Sequence, residues 1–393
     1  MGALEGLLVV AVEQAVAAPL CTARLAAAGA RVIKIERAEG DFARGYDTAA
    51  GGESSYFTWL NQGKESVCLD FKDEHGARLL HALLARADVL VQNLSPGALA
   101  RAGFSTDALQ AVNPRLVVCN VSGYGEAEGI AGKRAYDLLV QAESGLIAVS
   151  GGPGAPGRIG VSVCDIGTGT TAHAAILEAL LGRAISGRGE ELFVSLFDVA
   201  ADWMTVPFVH AEYGSGAPAP AGLRHPSIAP YGAFPCADGR QVLISIQNER
   251  EWRRLCVDVL RSPELATDTR YMSNNARVKG REALESGIAA ITRTLAADEF
   301  RARLDGAGIA CGSINGADDL AGHPAFRSAA YRTSAGVELS LPAHPVRRRD
   351  TRPAEARSRS GSYRPCCPTR CPTLGEHTAS VTAEFLTGDT DSG

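Results

Sequence analysis

Short apolar runs alternate with amphipathic stretches through the first half of the chain. Leu7–Val12 is continuously apolar and reads as a buried strand. Pro19–Ala28 reads as a helix that stops at Gly29. Arg31–Glu36 (RVIKIE), Ser66–Asp70, Asp88–Asn93 and Arg115–Ser122 are further strand candidates, with a helix predicted over about Asp73–Ala87. A β-like run, Ile159–Cys164, leads into a helical pattern from Thr168 to about Ile185, and Leu192–Phe197 reads as one more strand. Strands alternating with helices predict an α/β fold, a Rossmann-like and mostly parallel sheet with helices on both faces. Such sheets bind ligands at the C-terminal ends of their strands. Those ends carry Glu13–Gln14, Glu36–Arg37, Asp70–Lys72, Asn93–Leu94 and Gly123–Tyr124.

The pattern changes near Pro207, and Gly214–Gly222 (GSGAPAPAG) reads as a boundary. A second, smaller α/β unit follows, with a strand at Val242–Ile246 and helices near Glu249–Leu260, Arg281–Leu295 and Ala297–Ala307. The expected division is a large domain over 1–205, a small one over 206–325, and a C-terminal segment over 326–393. Within that segment, 345–372 is rich in Arg, Pro and Ser and reads as a disordered or looped insertion. A solvated linker is the simpler reading of it; a nucleic-acid tail is the sharper one.

Length and charge narrow the classes. At 393 residues the chain exceeds one ordinary core, and its 46% hydrophobic and 21% charged composition is that of a globular protein. A net charge of −5 argues against a general nucleic-acid surface. The N-terminal stretch lacks a basic region, is interrupted by Glu5 and Glu13, and reads as strand and turn rather than a signal. Gly6 breaks the myristoylation pattern, and no apolar run reaches membrane-spanning length, so the expectation is cytoplasmic. Seven of the 10 cysteines are scattered through mostly apolar runs and read as reduced, packed thiols; Cys366, Cys367 and Cys371 cluster but lack zinc-ligand spacing. No metal is expected.

The stretch VSVCDIGTG organises the chain around Asp165, a carboxylate between the glycine-rich loop Ser150–Gly157 and a helix start. Taken locally, such an Asp is more often a helix cap. Gly152, Gly154 and Gly157 match G-x-G-x-x-G, but a strand-like run follows them and not a helix, so nicotinamide dinucleotide binding is rejected there. A glycine-rich cover over an active site survives. There is no G-x-S-x-G elbow and no P-loop. Arg37, Lys72, Arg101 and Arg134 fall near strand ends or loops on the ligand side. Singly each is a solvated charge; together they suit a polyphosphate, coenzyme A or a nucleotide alike.

AAPLCTARLAAAGARVIKIERAEGDFAR, NQGKESVCLDFK, ADVLVQNLSPGALARAGF, KRAYDLLVQAESG and VCDIGTGTTAHAAILEALLGR resemble family III (CaiB/BaiF-type) coenzyme A transferases, the family of formyl-CoA:oxalate and carnitine CoA-transferases. GLRHPSIAPYGAF and LGEHT are also similar, and the likeness covers nearly all of Leu4–Gly336. The resemblance implies CoA exchange between carboxylic acids, with a CoA thioester as substrate and no permanently bound cofactor. The family's nucleophile falls on Asp165, which would form a mixed anhydride and then an aspartyl-CoA thioester. CoA-contacting positions fall on Gln14, Ala15, Arg37, Leu69, Lys72, Asn93, Leu94, Arg101, Arg134 and Tyr136. Supporting roles fall to Gln14, Tyr136, Gly151 and Gly152, with oxyanion donors expected from the Gly151–Gly152 loop and near Gln14. The resemblance also implies an interlocked homodimer and a large domain that the C-terminal segment rejoins.

Val16 stands where oxalate-using members carry Gln, so oxalate is not the expected acid. The whole-chain look is nearest to enzymes using succinyl-CoA with itaconate, mesaconate or citramalate. A second carboxylate needs a cation, and Arg44, Arg224 and His225 are the candidates, against a solvated charge for either arginine and a backbone-bonded loop residue for the histidine. Two alternatives remain: an α-methylacyl-CoA racemase or a non-catalytic acyl-CoA-binding relative. Racemases of this fold place a His before the acidic residue, where this chain has Tyr136 before Asp137; a phenol is a poor base at neutral pH.

Overall fold

The structure is a computed structural model that describes residues 2–347 and 370–386. It divides into two compact units. The first comprises the described residues up to Leu146, Ile159–Thr205 and those from Arg327 onward. Its strands β1 (Leu8–Val12), β2 (Arg31–Glu36), β3 (Glu65–Cys68), β4 (Val89–Gln92), β5 (Val117–Ser122) and, after the two-residue strands β6 (Gly151–Gly152) and β7 (Ala155–Pro156) of the other unit, β8 (Glu191–Ser195) form one parallel sheet. Its order is β3-β2-β1-β4-β5-β8.

The alternation along these strands explains why they are buried on both faces. Val9, Ala11, Val32, Val89, Val91 and Cys119 point into one core. Val10, Val12, Ile33, Ile35, Leu90 and Val118 point into another. Helix α1 (Ala17–Ala27) and the long Val163–Ser186 helix cover the first face; α3 (Glu74–Arg86), which follows the short α2 (Ser55–Leu60), covers the second. A sheet covered twice needs strands that are apolar throughout. The long helix presses close to its neighbours. A Cβ on Gly169 would lie 2.4 Å from the Ala17 carbonyl oxygen, and one on Gly167 would lie 2.3 Å from the Trp203 ring.

Ile159–Cys164 does not form a strand. The helix begins at Val163, five residues before the predicted start, so Asp165 sits in its first turn. The reason is local: side chains take up the backbone groups a sheet neighbour would otherwise pair. Gln141 Oε1 accepts the Ile159 N–H at 2.9 Å, and Asp137 Oδ1 accepts the Cys164 N–H at 2.8 Å.

The second unit comprises 147–158 and 206–326. Its antiparallel sheet, order β11-β10-β9, joins β9 (Tyr231–Pro235), β10 (Gln241–Ser245) and β11 (Ala310–Ser313). Helices Arg281–Thr292 and Ala297–Gly306 pack on it around Ile244, Trp252, Ile288, Phe300 and Leu304. Pro207, where the apolar pattern changes, lies in the first turn of helix Thr205–Tyr213, where a missing N–H costs nothing.

The first unit is completed by the chain's other end. Hairpin β12 (Ser328–Arg332) and β13 (Glu338–Pro342) was not expected from the sequence. Of the Arg/Pro/Ser-rich segment, 348–369 lies outside the described residues, as do Cys366 and Cys367. Cys371 is buried, with its thiol pushed up to about 12 by that burial. The following residues run along the outer edge of β3: His377 N–H donates to Ser66 O at 2.9 Å, and Cys68 N–H donates to Thr378 Oγ1 at 2.9 Å. Helix Thr378–Leu386 then places Val381 and Phe385 in the second core. Among the described residues no helix is long and apolar enough to cross a membrane.

Candidate active site

The sheet order reverses beside β1, where the next strands lie on opposite sides of it, and a doubly wound sheet opens its ligand crevice there. The loop after β1 is held across that point by the loop after β4. Gln14 N–H donates to Asn93 Oδ1 at 2.9 Å, and Asn93 Nδ2 donates back to Gln14 O at 2.8 Å. Ala15 adopts φ +67°, a left-handed conformation unusual for a residue with a Cβ.

A cavity of about 820 Å³ opens over these strand ends. Gln14, Arg37, Leu69, Lys72, Leu94 and Arg101 line it, so six of the CoA-contacting expectations meet at one place. Arg101 hydrogen bonds Pro96 O at 3.0 Å, while Arg37 reaches Gly40 O at 3.2 Å and Glu39 at 3.7 Å. Asn93 and Ala15 support the wall rather than form it: Asn93 through Gln14, and Ala15 in a small cluster with Val16, Leu20, Leu60 and Ile166. Arg134 is exposed and outside this cavity, and Tyr136 is 60% exposed as the residue before the Asp137–Glu143 helix.

Beneath the cavity lies a charge cluster that the sequence did not reveal. Glu13, Lys34, Asp41 and Lys64 have fully buried side chains. Glu13 Oε1 accepts from Lys64 Nζ at 2.7 Å, Glu13 Oε2 accepts from Thr22 Oγ1 at 2.7 Å, and Lys34 Nζ donates to Asp41 Oδ2 at 2.9 Å. Burial alone would push Glu13 up, but Lys64 and Lys34 hold it below the usual carboxylate range. Burial would lower Lys34, yet Glu13, Asp41 and Glu36 outweigh it and raise it. Lys64 falls to about 8, because its desolvation exceeds what Glu13 returns.

Arg44, expected as a candidate for a substrate carboxylate, is paired within this cluster. Its fork meets Glu36 at 2.9 and 2.8 Å, and its guanidinium lies 3.8 Å from the Phe57 ring centre. Against its own burial, Glu36 is brought to about 2 by Arg44, Lys34 and Ser66. In the second unit Arg224 is likewise occupied, by Glu282 at 3.0 Å and Glu285 at 2.8 Å. His225 stacks on Tyr231 and accepts the Ser227 N–H on Nδ1 at 3.1 Å, the backbone-bonded arrangement weighed against its substrate role.

Asp165 is half-buried in the first unit. No side chain caps its helix from Ser162; Asp137, 28 residues earlier, does so instead, with Oδ1 3.3 Å from the Asp165 nitrogen. Asp137 Oδ2 in turn accepts from the buried Gln141 at 2.7 Å. Burial, then the Asp137 charge, pushes the Asp165 carboxyl up to about 7. Tyr46, which packs on Tyr56 at 5.4 Å, is raised to about 12 by its burial and by the nearby Asp41, Asp165 and Tyr136. Ile166, next to Asp165, packs in the cluster that holds Ala15 and Val16. The helix start and the β1 loop are therefore one packed body.

The expected oxyanion donors divide. The Gln14 N–H is already committed to Asn93. Gly151 and Gly152 form a two-residue hairpin with Ala155 and Pro156 in the second unit. Gly151 has φ +85°, and a Cβ there would lie 2.3 Å from Ala155 O, so only glycine fits.

Residues 4–378 match the profile of CoA-transferase family III. The chain belongs to that family and is a CoA-transferase. It is 37% identical over 290 residues to the acetyl-CoA:oxalate CoA-transferase of Acetobacter aceti, covering 73% of this chain and 74% of that one. It is 30% identical over 397 residues to the succinate–glutarate CoA-transferase of Agrobacterium fabrum, covering 98% of this chain and 96% of that one. Among solved structures, a CaiB/BaiF family protein from Brucella suis matches with a TM-score of 0.80 and 31% identity over 98% of this chain and 99% of that one.

Proposed function

We propose that the protein moves CoA from succinyl-CoA to a small dicarboxylate of C4–C6 length through covalent intermediates on Asp165. The Asp165 carboxylate attacks the thioester carbonyl carbon; the C–S bond breaks and CoA leaves as thiolate, giving a mixed anhydride. The thiolate attacks the aspartyl carbonyl, the donor acid departs as carboxylate, and an aspartyl-CoA thioester remains. The acceptor carboxylate then attacks that thioester, and the same steps in reverse release the new acyl-CoA and free Asp165. The activated acyl bond survives only if water is kept out.

The observation that carries this reading is the desolvated Asp165 carboxyl, packed through Ile166 onto the loop that lines the cavity. Gln14, Leu69 and Leu94 would flank the CoA chain, with Arg37, Lys72 and Arg101 meeting its phosphates. Arg134 and Tyr136, both exposed, would contact CoA from outside this cavity. Bonded through Nδ1 among the described residues, His225 would offer Nε2 to a distal carboxylate, whereas Arg44 and Arg224 are already paired. A C4–C6 dicarboxylate rather than oxalate is supported by the succinate–glutarate relative, which aligns over nearly the whole chain. The acetyl-CoA:oxalate relative is the counterweight, set against Val16 in this chain.

Incubation with succinyl-CoA and a panel of C4–C6 dicarboxylates plus oxalate, read by mass spectrometry of the CoA esters, tests the assignment. New esters of one or more C4–C6 acids are expected. Transfer to oxalate alone, or to none of the panel, overturns the substrate class. We also propose a homodimer of the interlocked kind. Sedimentation should give about twice the chain's 41.0 kDa; a particle of one chain's mass would end that proposal.

A further inference from the structure

We infer that Asp41 is a positioning residue that fixes the Gln14–Ala15 loop in the geometry needed to receive the CoA thioester. Two walls of the cavity come from loops with no sheet pairing between them, the one after β1 and the Arg37–Gly40 turn after β2. Asp41 ends that turn, and one carboxylate joins the two. Its Oδ1 accepts the Ala15 N–H at 3.0 Å and the Ala43 N–H at 2.9 Å. Its Oδ2 accepts from Lys34 Nζ at 2.9 Å, and its own N–H donates to Glu36 Oε1 at 3.0 Å.

The clamp acts where the backbone needs one. Ala15 sits at φ +67°, disfavoured for any residue with a Cβ, and such conformations persist when surrounding contacts over-determine them. The neighbouring Gln14 is already fixed on both its N–H and its carbonyl by Asn93. Asp41 supplies the remaining tie, on the Ala15 N–H. Asp41 borders the cavity, but it is buried and paired through both oxygens, so its carboxylate is spent on the loop rather than offered to a ligand. Because Ala15 also packs in the cluster containing Ile166, slack in the loop reaches the residue beside Asp165. This inference rests on the reading of the cavity as a CoA site.

Asp41→Asn and Asp41→Ala separate positioning from general stability. Both remove the anion facing Lys34, so both should melt lower than the wild type. Only the amide keeps an oxygen for the Ala15 N–H. The KM for succinyl-CoA should rise about tenfold or more in Asp41→Ala, stay within about threefold of wild type in Asp41→Asn, and change more than kcat does. Hydrogen exchange in the peptide spanning Ala15 should speed up in Asp41→Ala and not in Asp41→Asn. If Asp41→Ala does not fold, Asp41→Ala with Lys34→Met removes the cation that has lost its nearer anion and carries the same measurements. Equal KM values and equal exchange in the two variants overturn the inference. A wild type that neither binds CoA nor transfers it overturns the CoA reading instead, and exchange at Ala15 still decides whether Asp41 holds the loop.

Discussion

Replacing Asp165 by Asn is expected to abolish CoA transfer and to make the folded chain more stable at alkaline pH. The first effect follows from the covalent route proposed above: an amide oxygen cannot form the anhydride, and turnover should fall by roughly ten-thousand-fold or more. The second follows from the carboxyl's position. Folding raises it from an ordinary 3.8 to about 7, through burial first and the Asp137 charge second. Between those values the unfolded chain has given up the proton and the folded chain has not. Wild-type stability therefore falls as pH rises through that window, and the penalty is complete above about 7. With Asp165 partly exposed, the cost is on the order of 2 kcal/mol. Thermal melts at pH 4 and pH 8 should show Asp165→Asn level with wild type in the first and above it in the second. Transfer by the wild type should lose activity on acidification through neutrality, because the attacking group must be ionised. Hydroxylamine added during turnover should attack the aspartyl carbonyl of the thioester intermediate and displace CoA as thiol, leaving a hydroxamate on wild-type Asp165 and none on the variant. A variant that keeps near-normal turnover removes Asp165 from the mechanism.

Glu13→Gln should be the most destabilising conservative change in the first unit. Lys64 has Glu13 as its close anion and Pro19 O as its other partner, and its side chain has no access to water. Removing one member of a buried pair leaves the other charge uncompensated, at about 3–5 kcal/mol. The melting temperature should drop by roughly 10 °C. Adding Lys64→Met should recover part of the loss, because the orphaned charge goes with it. Glu13 lies below its ordinary 4.5 when folded, so its contribution is present above that pH and is lost on acidification through the folded value. Variant and wild type should therefore converge in acid. A Glu13→Gln protein that melts with the wild type at pH 7 contradicts this account.

The strands of the large sheet were legible because they are apolar on both faces, which is a property of sequence alone. Lys34 was not. A lysine within RVIKIE names no partner by itself; it points at Glu13 and Asp41, and Glu13 meets it only once β1 and β2 have paired. The pairing of Arg44 was hidden for the same reason: its partner Glu36 sits eight residues away, and nothing in the intervening turn announces the fork. Ile159–Cys164 has the residue types of a strand, yet Asp137 and Gln141 claim its backbone groups from a preceding helix. Asp137 itself was visible only as the neighbour of Tyr136. A cap supplied from 28 residues upstream leaves no local mark.

Among the described residues, the edge of β3 is covered by 375–378. A ribosome makes those residues long after β3 itself. Until they emerge, a nascent chain carries a bare strand edge, open to pairing with any other unfinished chain. The arrival of 375–378 thus decides when the first unit stops being adhesive.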